Sequence, residues 1–183
     1  MNKKTVEIRF AGYGGQGIIR SGIIVGRAGA IYDDKFTTMN QAFGPEARGG
    51  ACSSQLLVSD DKILYPYVAK SDILICMAQE AYEKFEPELK NDGLLLYDLD
   101  LVNLKNKRGK VKLYSIPSTR FAEELGQKII ANVVMMGFFT AITEVISVDA
   151  MKKSIPESVP SRFVELNLNA FDKGYNYGKN LVK

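Results

Sequence analysis

The stretch RFAGYGGQGIIRSG holds the first residues whose types and spacing could do chemistry. Gly12, Gly14 and Gly17 stand in a G-x-G-x-x-G spacing, with Gly15 and Gln16 between them. Glycines let a backbone approach a ligand closely, and the unpaired N–H groups at a helix start attract anions. Phosphate binding is therefore the candidate chemistry, with the Gln16 amide able to bond through either end. A dinucleotide site also wants an acidic side chain at the end of the second strand, for the ribose. The sequence has TTMNQ there, and Asp33 and Asp34 come before that strand rather than after it, which disfavours NAD. A tight strand-to-helix connection that binds nothing would use the same glycines, and that reading stays open.

A second glycine-rich stretch, AFGPEARGGACSSQLLVSD, places Arg48, Gly49 and Gly50 in a loop between strands. Such a composition suits a backbone that bends sharply or meets something closely. Arg48 alone reads as a solvated charge. Beside a helix amino terminus it becomes a clamp for phosphate or carboxylate, and a subunit contact would use it equally well. Asn132, an amide within the apolar run ANVVMMG, reads as a buried group satisfying nearby backbone rather than as a ligand contact.

Composition removes whole classes of function. The 183 residues include no histidine, so the usual general base, the Ser/His/Asp and Cys/His arrangements and the commonest metal ligand are absent. No catalytic or metal-ligating set is assigned. Cys52 and Cys76 are too few for the four thiolates of an iron-sulfur cluster or a Cys-only zinc site, and read as reduced, core or near-core residues. With 24 basic and 21 acidic residues, no general pull toward nucleic acid or an anionic membrane is expected. MNKKTVEIRF lacks the apolar stretch of a signal peptide and no run reaches the ~20 residues of a membrane span, so a soluble, cytoplasmic protein is the expectation.

The elements that must position these residues follow from periodicity. TVEIRFAG alternates as a strand, and GIIRSGIIVGRAGAIY has helical spacing with small residues that suit close packing on a sheet or another subunit. Further strands are expected around Thr37, Leu56, Leu74, Leu95 and Leu113, joining the one around Ile8. KNDG reads as a turn before LLLYD. Helices are expected over QEAYEKFEPEL, over STRFAEELG with Ser118 as its cap, over KIIANVVMMGFFTAITEVI, and at the carboxyl end with Ser161 as cap. Strands alternating with helices predict a three-layer α/β/α fold with a mixed, mostly parallel sheet, Rossmann-like at its amino-terminal end. Ile8, Leu74, Ile75, Leu95 and Val133 should be buried. No linker or repeat divides residues 1–183, which are read as a single domain.

The two glycine-rich stretches together, GYGGQG and GPEARGGACSSQLLVSD, resemble the gamma subunit of the 2-oxoacid:ferredoxin (or acceptor) oxidoreductases. YPYVAKSDILICMAQEAYEKF, GLLLYD, IPSTRFAEELG and ANVVMMG extend the resemblance along nearly the whole chain. A separate gamma chain of this length is most similar to those of the 2-oxoglutarate enzymes. The resemblance implies a non-catalytic subunit of a multi-chain enzyme that turns a 2-oxoacid and coenzyme A into acyl-CoA, CO₂ and two electrons for ferredoxin or a similar acceptor. It implies that thiamine diphosphate and the iron-sulfur clusters sit on the alpha, beta and delta partner chains. It also implies that this chain contributes to the coenzyme A site through Gly12, Gly14, Gly15, Gln16 and Gly17, with Arg48, Gly49 and Gly50. A free-standing nucleotide-binding or regulatory protein with a Rossmann-like turn is the alternative.

Overall fold

The computed structural model describes residues 5–42, 50–105 and 109–182. Six strands form one mixed sheet: β1 (Thr5–Tyr13), β2 (Phe36–Ala42), β3 (Ala51–Ser59), β4 (Ser71–Cys76), β5 (Leu89–Asp98) and β6 (Lys112–Ile116), in the order β2-β3-β1-β4-β5-β6. Pairings of β1 with β4, β4 with β5 and β5 with β6 are parallel, while β3 lies antiparallel to both β1 and β2. Every strand expected from the sequence is present. Ile8, Leu74, Ile75, Leu95 and Val133 are all buried.

Alternation along β1 sends Ile8 and Phe10 to one face and Ala11 to the other. The first face is thickly covered by α1 (Ile18–Arg27), by α3 (Ser118–Glu124), by α4 (Ala131–Thr143) and by α5 (Val148–Ser154), with α6 (Val164–Leu181) laid over α4. The second carries α2 (Gln79–Phe85), whose Ala81, Tyr82 and Phe85 pack on Leu74, Cys76 and Leu95. Arg9, almost fully buried, ties this thinner layer down. Its guanidinium lies 4.7 Å from the Phe85 ring centroid and pairs with Glu88 at 2.5 Å. Burial draws the Arg9 pKa below its ordinary value, and Glu88 opposes that shift.

The small residues of the first helix face the sheet. A Cβ on Gly22 would stand 1.8 Å from Ser54 Oγ, and one on Gly26 would stand 3.2 Å from Leu56. The helix ends in a π turn over Ala28–Tyr32. The α4–α6 crossing is closer still: a Cβ on Gly137 would meet the Phe171 carbonyl oxygen at 2.0 Å, and one on Gly174 the Val134 carbonyl oxygen at 1.9 Å. With the sheet on one side and α6 on the other, α4 is apolar nearly all round.

Three local expectations need correction. KNDG is not a turn. Residues 90–93 lie inside β5, which starts at Leu89 and shifts register against β4 between Ser71 and Ile73. Ser118 does not cap α3: it is the helix's first residue, and its hydroxyl donates to Asp98 at 2.5 Å. Asp98 supplies the capping oxygen instead, accepting from the Thr119 N–H at 2.9 Å. Ser161 caps nothing either, because a 3₁₀ turn over Ser161–Phe163 leads into α6 with no side chain bonded to its end. Ser147 is a true cap, accepting from the Ala150 N–H. Cys52 and Cys76 are free and buried, as the sequence suggests.

Candidate functional site

The glycine turn joins β1 to α1 at the carboxyl end of the central strand. Gly12 still belongs to β1, where a Cβ would come within 2.5 Å of Gln16 Oε1. Gly15 and Gly17 have φ of +98° and +74°, a left-handed backbone that glycine adopts without cost. Gly17 at the N-cap has no side chain to offer, so among the described residues the first N–H groups of that helix have no side-chain acceptor.

Gln16 has a role within the chain that its sequence position does not announce. Its Oε1 accepts from the Tyr13 N–H at 2.7 Å, and its Nε2 donates to the Met77 carbonyl at 2.8 Å. Both ends of the amide are thus engaged within the chain. The bond to Met77 spans the gap between the carboxyl ends of β1 and β4. That gap is the topological switch point where doubly wound sheets usually receive a nucleotide. Gln16 closes it, and the open space lies instead on the α1 side of the turn.

That space is a cleft of about 770 Å³. Gly14, Gly15 and Gly17 form one end, and Ile18, Ile19 and Ile23 of α1 form one wall. Ile129, Ile130 and Val133 face them from the start of α4, and Val159, Pro160 and Phe163 close the third side. Arg20 is the one charged side chain among the described lining residues, and no carboxylate is among them. Cys52 also lines the cleft, with burial pushing its thiol pKa up. Tyr13 borders it, its phenol pKa raised first by burial and then by Glu80.

Asn132, 4% exposed, lines the cleft while its Nδ2 donates to the Gly17 carbonyl and to Ser21 Oγ, each at 3.3 Å. The expected backbone-satisfying role is present, and the backbone it serves is that of the glycine turn. Ser21 Oγ in turn donates to the Gly17 carbonyl at 3.1 Å.

The second glycine-rich stretch meets the first by strand register. Antiparallel pairing sets Ala51 opposite Tyr13 and Cys52 opposite Gly12, so Gly50, directly before β3, stands beside the end of β1. Arg48 and Gly49 lie outside the described residues. Of the residues assigned from sequence, Gly14, Gly15 and Gly17 line the cleft, whereas Gly12 and Gln16 shape the turn from behind. Sequence reasoning missed Arg20 and the apolar walls. Arg20 sits three residues beyond Gly17, a signal available in the sequence, but Phe163 and Val159 reach the cleft only through the tertiary fold.

The sequence profile of the pyruvate ferredoxin/flavodoxin oxidoreductase family matches residues 7–177. The chain belongs to this family. Among its oxidoreductase relatives, the 2-oxoglutarate synthase subunit KorC of Methanocaldococcus jannaschii is 48% identical, over 99% of this chain and 100% of its own. The gamma subunit of a keto/oxoacid ferredoxin oxidoreductase from Geobacter sulfurreducens superposes with a TM-score of 0.84 at 38% identity, covering 94% of this chain and 98% of that one. A 2-oxoglutarate:ferredoxin oxidoreductase from Magnetococcus marinus, solved with 2-oxoglutarate, coenzyme A and succinyl-CoA bound, superposes at 0.85 with 27% identity. It spans 98% of this chain, which covers 32% of that longer one. The chain is accordingly a gamma-type subunit of a 2-oxoacid:ferredoxin oxidoreductase. Among its described residues no helix is long and apolar enough to cross a membrane.

Proposed function

We propose that this chain is the gamma subunit of a thiamine-diphosphate-dependent 2-oxoglutarate:ferredoxin oxidoreductase, acting as one domain and forming part of the coenzyme A site. The observation that carries the site is the uncapped start of α1, which opens with Gly14, Gly15 and Gly17 onto an apolar cleft beside Arg20. Coenzyme A combines phosphates with a long, largely apolar arm. A helix amino terminus with an arginine suits the phosphates, and the isoleucine-lined walls suit the arm. The relative solved with coenzyme A and succinyl-CoA bound supports this ligand, and the 48% identical KorC chain supports 2-oxoglutarate as the oxoacid.

In this reading Gly12 and Gln16 hold the turn in shape, while Gly14, Gly15 and Gly17 meet the ligand. Arg48, Gly49 and Gly50 contribute from the stretch of sequence before β3. Thiamine diphosphate and the iron-sulfur clusters belong to alpha, beta and delta partners, and for the clusters the two buried thiols of this chain are too few ligands.

The test uses the assembled enzyme. Gly15→Val should block close backbone approach and raise the KM for coenzyme A, and Arg48→Ala should raise it about tenfold or more by removing a charge-assisted contact, with decarboxylation assayed without coenzyme A nearly unchanged. A parallel fall in complex yield and in every partial activity would mark these residues as subunit contacts instead. Tight nucleotide binding by the isolated chain would favour a free-standing nucleotide-binding protein.

A further inference from the structure

Resting on the coenzyme A reading, we infer that Asn132 selects the amide-bearing pantetheine arm, accepting a hydrogen bond from one of its N–H groups in the cleft. The orientation of the Asn132 amide is fixed by its donor end, which is spent on the Gly17 carbonyl and Ser21 Oγ. Oδ1 takes no hydrogen bond from any described residue, although the side chain is 4% exposed and lines the cleft. The oxygen itself is not sealed in the core, so a ligand or water in the cleft can supply the donor. It is an acceptor only, so it suits a neutral N–H or O–H group and disfavours a phosphate or carboxylate oxygen.

The surroundings agree with that polarity. Ile18, Ile130 and Val133 line the cleft with Asn132, and Arg20, the one cation among the described lining residues, lies on the exposed side of α1. A chain of methylenes punctuated by amides satisfies both features. The phosphates are then left to the glycine end and Arg20. Asn132 thus has two tasks through two atoms: Nδ2 positions the turn and Oδ1 reads the ligand.

The experiment compares coenzyme A with two analogues, each having one pantetheine amide N–H replaced by an ester oxygen, as substrates of the assembled oxidoreductase. The wild-type enzyme should show a KM roughly three- to tenfold higher for one analogue than for coenzyme A, the range of one neutral hydrogen bond. Asn132→Ala should bring that ratio close to one. Asn132→Asp, which keeps an acceptor but loses the donor to Gly17, should weaken binding overall while retaining discrimination between N–H and ester. Equal KM values for coenzyme A and both analogues in the wild type would overturn the inference, whether or not any variant assembles. So would an undiminished ratio in Asn132→Ala. The underlying reading fails separately, when Gly15→Val leaves the KM for coenzyme A unchanged.

Discussion

At the residue scale, the two left-handed glycines of the turn make opposite demands. A Cβ on Gly15 meets nothing within 4 Å, so Gly15→Ala costs only the backbone penalty, about 1 kcal/mol. A Cβ on Gly17 would lie 2.6 Å from Asn132 Nδ2, and making room would break that amide's bonds to the Gly17 carbonyl and Ser21 Oγ. Gly17→Ala should therefore cost about 3 kcal/mol by denaturant unfolding. Adding Asn132→Ala to it should recover about 1 kcal/mol, because the clash goes with the amide. Non-additivity of the opposite sign would disprove this geometry. Cys76 makes a pH-dependent contribution. Burial raises its thiol pKa above the ordinary 9.0, so the folded state holds the proton more tightly than the unfolded state. That stabilisation is complete below pH 9 and is lost as pH rises from there toward the folded value. Unfolding free energy should fall above pH 9, and Cys76→Ala should flatten the decline while lowering stability at pH 7.

At the element scale, two junctions carry more than their share. Asp98, fully buried at the end of β5, accepts from Ser118 Oγ, the Thr119 N–H and Thr119 Oγ1, and its other oxygen accepts from the Asp100 N–H. One carboxylate thus starts α3 and fixes the turn after β5. Asp98→Ala would strand several buried donors, and a loss of about 3 kcal/mol is expected, measured by chemical denaturation. A loss below 1 kcal/mol would mean that water replaces the carboxylate. The α4–α6 crossing depends on Gly137. Alanine is the better helix former by about 1 kcal/mol, so Gly137→Ala would stabilise an isolated helix. Here the new Cβ would strike the Phe171 carbonyl at 2.0 Å, a backbone atom that cannot yield without separating the helices. Overpacking should win, with a net loss of about 2 kcal/mol and a lower Tm.

At the scale of the whole molecule, the cover on the sheet is uneven and apolar surface is left in the open. Leu64, Tyr65 and Tyr67 are 88%, 68% and 57% exposed on the connection from β3 to β4, and Ile129 is 69% exposed at the rim of the cleft. Surface of this kind suits a subunit that functions with partners. The isolated chain should show no 2-oxoglutarate oxidation with coenzyme A and an electron acceptor, and should bind a hydrophobic dye more strongly than the assembled enzyme does. Turnover by the chain alone would contradict its role as one subunit of a multi-chain enzyme.

All six strands, the glycine turn and the mixed α/β architecture were legible in the sequence, because each rests on local periodicity or on a backbone demand that only glycine meets. The strand around Ile8 and the helix after Gly17 needed no long-range information. KNDG misled because a local turn composition was overridden by pairing with β4, and Ser118 because a carboxylate twenty residues away outcompeted it as cap. The function of Gln16 was hidden for the same reason: its partner, Met77, is sixty-one residues distant. Tertiary structure alone decided where the open space lies. Closing the β1–β4 gap with one amide and bringing Phe163, Ile130 and Asn132 against the turn are long-range packing events, and no spacing within a single segment encodes them.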